Sequence, residues 1–172
     1  MDYKLVFWII SVASFWGYAI WYFISHGVPR SWSQTFYNLE KIYGKNDVGY
    51  IYTGFLWVSM FSLLPVVMSK YPLMFLPIVL ICAVGAAMDS KLSRQTEKVH
   101  VYGATGGIAT MLIILGLPEQ WLGVGVWYVA IPTTIAIWVM MVDKFKPKNN
   151  TTWIESLAVL VAHIVVLFKC VL

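Results

Sequence analysis

The chain has 172 residues, 60% of them hydrophobic and 12% charged, and its mean hydropathy is strongly positive. A soluble domain is roughly 45–50% apolar and about 25% charged, so a water-soluble core of this size is excluded: it could not hide so much apolar surface, whereas lipid can. The net charge of +4 is gathered mostly in linkers and forms no basic face long enough to follow a phosphate backbone, which excludes nucleic acid as a partner.

Leu5 to Ile24 carries no charge, and about 20 apolar residues cross the hydrocarbon as a helix. The small-residue run Ser11-Val12-Ala13 raises the rival reading of a cleavable signal. Asp2 accompanies Lys4 ahead of it, however, and Phe15 to Ile24 stays apolar beyond it, so the segment is read as the first span. Pro29 then precedes Ser31-Trp32-Ser33-Gln34, which fits a capping box. Trp32, Phe36, Leu39 and Tyr43 follow at helical spacing and Gly44 can stop the helix, so Ser31 to Tyr43 is expected to be a short amphipathic helix on the membrane surface.

Tyr50 to Met68 is the second expected span and Pro72 to Met88 the third, joined by a tight turn at Ser69-Lys70. The densest charge in the sequence, from Asp89 onward, separates the third span from the fourth, Val99 to Leu117. Pro118-Glu119-Gln120 turns into the fifth, Trp121 to Val142, with Pro132 placed to kink it. The sixth runs from Trp153 to about residue 171, with Lys169 near enough its end to snorkel. The fold class expected is all-α: one polytopic transmembrane domain over residues 1–172, a six-helix bundle with an interfacial helix.

The three longer linkers hold Arg30, Lys41 and Lys45; Lys91, Arg94 and Lys98; and Lys144, Lys146 and Lys148, whereas the opposite side has Lys4, Lys70 and Lys169. Positive charge marks the cytoplasmic side, so both termini are expected outside. Cys82 and Cys170 lie in apolar segments and read as buried thiols.

Few groups could carry chemistry. His100 opens the fourth span, and Gly103, Gly107 and Thr110 share its helical face. Gly103 and Gly107 make a small-xxx-small pattern that lets a neighbouring backbone come close. Glu155 opens the sixth span beside Ser156. His163 is the deepest titratable group, about 12 Å further along that helix. Asp89 closes the third span, so Asp89, His100 and Glu155 are expected at one membrane boundary, together with Ser33 of the surface helix. These groups could form a catalytic cluster or a hydrogen-bonded plug. Glu155 and His163 are the candidates for a proton or ion relay.

The segment Pro29-Arg30-Ser31-Trp32-Ser33-Gln34-Thr35-Phe36-Tyr37 resembles the P-x-S-I-S-x-x-Y-Y segment of a group of small six-span proteins of Bacteroides-type bacteria and their bacteriophages. Pro65, Ala83-Val84-Gly85-Ala86-Ala87, Val99-His100-Val101-Tyr102-Gly103-Ala104 and Trp153-Ile154-Glu155 extend the likeness. The chain departs from that pattern at Trp32, Phe36 and Met88. The resemblance implies a six-span fold in a bacterial cytoplasmic membrane with a shared polar layer, and no activity. Ceramidase-like intramembrane hydrolases offer only a chemical analogy, since their three-histidine zinc site has no matching HxxxH pair in the last span here.

The leading expectation is therefore a non-enzymatic membrane protein that acts through helix packing or with a partner, either another membrane protein or a second copy, and takes no cofactor. The alternatives are a membrane-embedded hydrolase of lipid using Ser33, Asp89, His100 and Glu155, with zinc as its metal, and a proton or ion pathway through Glu155 and His163.

Overall fold

Tyr3 to His26 is free of proline, and its ends are set by polar and flexible neighbours. Asp2 Oδ1 accepts the Lys4 N–H at 2.9 Å, satisfying one of the unpaired first-turn donors. Gly27, at a φ of 79°, ends the helix, in a conformation that disfavours any residue with a Cβ. Helix α1 thus spans Tyr3–His26, two residues beyond the expected span at each end.

A computed structural model describes residues 2–45, 47–86, 103–104, 106–111, 113–115 and 150–172. Helix α2 is Gln34–Tyr43, closed by Gly44 at a left-handed φ of 63°. Helix α3 is Tyr50–Val67, a turn follows, a 3-10 turn covers Pro72–Met74, and helix α4 is Phe75–Ala86. Residues 103–104, 106–111 and 113–115 are helical. The C-terminal helix, Asn150–Val166, continues as a π-helical stretch, Leu167–Val171. Every regular element among the described residues is helical. The fifth expected span and most of the linkers beside the fourth lie outside the described residues.

Among the described residues, three helices are long and apolar enough to cross a membrane: Tyr3–His26 with 24 residues, Tyr50–Val67 with 18, and Thr152–Val171 with 20. At 1.5 Å per residue they reach about 36, 27 and 30 Å, against a hydrocarbon core of about 30 Å. The described part of helix α4, 12 residues, accounts for about 18 Å by the same rise. Three apolar crossing-length helices show membrane association.

The long helices share one pattern. Trp8, Ser11, Phe15, Tyr18 and Tyr22 in α1 recur at alternating three- and four-residue steps, as do Tyr52, Leu56, Ser59, Leu63 and Val66 in α3, and Thr152, Ser156, Val159, His163, Val166 and Cys170 at the C-terminus. Nearly all of these residues are buried, with Trp8 and Val159 partly so. A step averaging 3.5 residues keeps one narrow stripe of each helix on a common seam. The pairings fix its directions. Tyr18 meets Tyr52 and Phe55 while Ser11 meets Ser59, so α1 and α3 are antiparallel. Trp8 and Ser11 meet His163 while Phe23 meets Trp153, so α1 and the C-terminal helix are antiparallel as well.

Helix α4 folds back along α3, where Thr53 Oγ1 and Trp57 Nε1 donate to the Gly85 and Cys82 carbonyls at 3.3 and 3.0 Å. Gly107 lies against α4, and a Cβ there would stand 2.7 Å from Ile81 Cγ1. At the far end of that segment the Leu115 carbonyl accepts from Lys169 Nζ at 2.8 Å. Lys169 therefore reaches into the protein, where the sequence suggested a side chain snorkelling to the boundary.

Helix α2 differs in setting from the expectation. Its apolar residues Phe36 and Leu39 are fully buried, but against protein. Phe36 packs on Gly49 and edge-on to Tyr50, Thr35 takes the Tyr18 hydroxyl at 2.7 Å, and Asn38 Nδ2 donates to the Tyr22 hydroxyl at 3.0 Å. It caps the end of α1 and α3, because that end offers hydroxyls as well as apolar surface, which lipid tails do not.

Adjacent glycines give an internal control for the Gly107 contact, since nothing lies within 4 Å of a Cβ placed at Gly106. Gly107→Leu should destabilise the protein by about 1–3 kcal/mol through overpacking, and Gly106→Leu by less than about 0.5 kcal/mol, as read from thermal unfolding in detergent micelles.

Candidate functional site

Two polar clusters join α1 and the segment after it to the C-terminal helix. The first lies at the membrane boundary, where α1 has ended and the chain runs without helix through Pro29 and Arg30. Backbone groups there have no helical partner, and at the edge of a bilayer leaving them unmade is costly. The C-terminal helix supplies them. Thr152 Oγ1 donates to the Pro29 carbonyl at 2.6 Å and Thr152 N–H to the Arg30 carbonyl at 3.1 Å. Glu155 Oε2 accepts the Trp32 N–H at 2.8 Å. Trp32 Nε1 donates to Ser156 Oγ at 2.9 Å, and Ser156 Oγ donates to the Thr152 carbonyl at 2.7 Å.

Trp32 is buried at this junction, stacked on Phe23 with ring centroids 5.1 Å apart and edge-on to Phe15. Its carbonyl accepts from Thr35 Oγ1 at 2.6 Å, and Thr35 Oγ1 also accepts the Tyr18 hydroxyl. The capping box forms in shifted shape. Ser31 Oγ accepts the Gln34 N–H at 3.3 Å, and Gln34 Oε1 accepts the Arg30 N–H at 3.3 Å.

The second cluster sits inside the seam. Ser11 Oγ lies 3.2 Å from Ser59 Oγ and 3.0 Å from His163 Nε2, and all three residues are buried. Trp8 Nε1 donates to the His163 carbonyl at 2.9 Å. A neutral imidazole accepts at Nε2 when its proton is on Nδ1, which lets the Ser11 hydroxyl donate to Nε2 and accept from Ser59. Nδ1 makes no hydrogen bond of good geometry, although the Val159 carbonyl one turn earlier interacts with the ring. His163 thus meets a hydroxyl of another helix.

The expected site residues fall into separate places. Glu155 is in the boundary cluster and His163 in the seam cluster. Ser33, the residue before α2, makes no side-chain cap and pairs with Ser31 Oγ at 3.1 Å, whereas Glu155 pairs with the Trp32 backbone. Gly107 packs on α4, and Gly103 is a partly buried helical residue. Asp89 and His100 lie outside the described residues, so the layer expected from Asp89, His100 and Glu155 is described at Glu155 alone.

Trp32, Thr152, Ser11 and Ser59 were not among the expected site residues. Ser11 and Ser59 were legible in the three-and-four spacing, which places them on the buried stripes. Thr152 lies on such a stripe too, but its pairing with the Pro29–Arg30 backbone, and the role of the Trp32 amide, depend on contacts more than 120 residues apart in sequence. Among the described residues no three His, Cys, Asp or Glu side chains gather in a way that could hold a metal ion. No family model, curated protein or solved structure matches the chain.

Ser11→Ala should cost about 0.6 kcal/mol and at most about 1.7 kcal/mol, the average and the maximum measured for hydrogen bonds between membrane helices. Its effect should be less than additive with His163→Leu, since each removes the same bond. A double-mutant cycle by chemical denaturation in micelles reads the coupling; additive costs would mean that the pair does not join the helices.

Proposed function

We propose that this is an integral membrane protein without catalytic activity, which works through the packing of its helices and through contact with a partner in the membrane, either another membrane protein or a second copy. The observation that carries this reading is where its polar side chains point. Glu155, Ser156, Thr152, Trp32, Ser11 and His163 hydrogen-bond one another or the backbone across the chain. A catalytic cluster needs donors and acceptors aimed at an open position for substrate, and here they are aimed at the protein.

The full reading places six spans in a bacterial cytoplasmic membrane with both termini outside. Supporting that topology, α1 ends, α3 begins, α4 ends and the C-terminal helix begins on one side, next to Arg30. The linkers carrying Lys91, Arg94, Lys98, Lys144, Lys146 and Lys148 attach at those ends. Lysine and arginine concentrated on one side mark it as cytoplasmic. The likeness to small six-span proteins of Bacteroides-type bacteria and their phages supports the bacterial setting.

A second reading, a proton or ion pathway, draws on His163, which is a titratable group 3% exposed in the middle of a span.

Photo-crosslinking in native membranes separates these readings. Crosslinkers at the exposed positions Ile20, Phe55 and Leu76 should give a discrete protein adduct from at least one face. The purified protein should contain no stoichiometric zinc, and liposomes holding it should show no proton flux that His163→Leu abolishes. Lipid adducts alone from every face, stoichiometric zinc, or a His163-dependent flux would each count against the proposal.

A further inference from the structure

Helix α2 has two unlike halves. Up to Leu39 its apolar side chains are packed against protein, Phe36 and Leu39 without any exposure. Its last turn opens outward. Ile42 is 53% and Tyr43 50% exposed, and they stand between the exposed Lys41 and Lys45. Left in water, that much apolar surface would weaken the fold by what its burial elsewhere contributes.

The position of the turn shows what covers it. The Tyr43 ring meets His26, the last residue of α1, edge-on with centroids 6.0 Å apart, and His26 meets Trp21 edge-on at 5.6 Å. Trp21 is itself 39% exposed. One turn earlier in α2, Asn38 Nδ2 holds the Tyr22 hydroxyl at 3.0 Å. The end of α2 is therefore seated on the end of the first span, at the level where hydrocarbon gives way to headgroups. Aromatic rings with an apolar body and a polar tip collect at that level.

The charge around the turn selects the lipid. The stems of Lys41 and Lys45 are long enough to lie along apolar surface while their ammonium groups reach phosphates. Of the two carboxylates in the segment, Glu40 is partly buried and Asp47 is exposed ahead of α3. The outward side thus presents two cations to one carboxylate.

We propose that the last turn of α2, Lys41 to Lys45 with Trp21 beside it, is a foot set into the leaflet on the Arg30 side of the membrane, where it gathers anionic phospholipids. Ile42, Tyr43 and Trp21 enter among the upper ends of the acyl chains, and the two lysines meet the headgroup phosphates. A protein covering the same turn would have to bring acidic groups into a layer where lipid phosphates already stand. The foot rests on the membrane reading above.

The test uses the full chain with a benzophenone crosslinker at Ile42, in nanodiscs of equal phosphatidylglycerol and phosphatidylcholine, with adducts identified by mass spectrometry. A lysine at a membrane surface contributes about fivefold to binding of anionic lipid. Phosphatidylglycerol adducts should therefore exceed phosphatidylcholine adducts at least about fivefold, and Lys41→Gln with Lys45→Gln should return the two to about equal amounts. Lys4→Gln, on the opposite face, should leave the ratio unchanged. In native membranes the same crosslinker should again capture lipid.

A ratio that ignores Lys41 and Lys45, or that falls as far in the Lys4 variant, overturns the foot. A discrete protein adduct at Ile42 in native membranes would give the turn to a protein partner and overturn it as well. A crosslinker at Leu76, 63% exposed on α4, separates the foot from the reading it rests on. Lipid adducts at Leu76 without any at Ile42 overturn the foot alone, whereas lipid adducts at neither position overturn the membrane reading too.

Discussion

The structure depends on the junction where the chain leaves α1 and passes through Pro29, Arg30 and Trp32. A bilayer offers no water to unpaired peptide groups, so a non-helical stretch at its edge needs partners from the protein. The first turn of any helix has the complementary need, since its leading N–H groups lack acceptors. Thr152 and Glu155 meet both needs together. The C-terminal helix obtains acceptors from the Pro29–Arg30 backbone, and the Trp32 amide obtains a carboxylate. Each end caps the other, across more than 120 residues of sequence.

That splice sets the seam. With the start of the C-terminal helix fixed beside Trp32, an antiparallel path along α1 brings His163 level with Ser11 and Trp8, and the π-helical end against α1. Between membrane helices the hydrophobic effect gives no attraction, because lipid tails are as apolar as leucine; packing and hydrogen bonds must hold them. The seam has both. Its stripes repeat at the coiled-coil interval, and a hydroxyl–hydroxyl–imidazole contact lies within them.

Apolar runs and helix punctuation could be read from the sequence because they are local. The bodies of α1 and α3 follow from the uncharged runs Leu5 to Ile24 and Tyr50 to Met68, and the stop of α2 at Gly44 from its freedom to adopt a positive φ. The setting of α2 was not legible, since an amphipathic stripe looks the same whether it faces lipid or a helix end, and only the positions of Tyr18 and Tyr22 decide. Nor was the pairing of Glu155 with a backbone amide. A carboxylate near a membrane boundary suggests cations or catalytic partners, and a peptide N–H has no mark in sequence.

Amide hydrogen exchange of the protein in lipid nanodiscs tests the splice most directly. The Trp32 and Thr152 amides should exchange as slowly as those in the middle of α1, because opening either requires parting the C-terminal helix from the Pro29–Trp32 segment. In Glu155→Leu, Trp32 should exchange much faster while mid-helix amides of α1 stay protected. Exchange of Trp32 and Thr152 in the wild-type protein at the rate of an open loop would contradict the account.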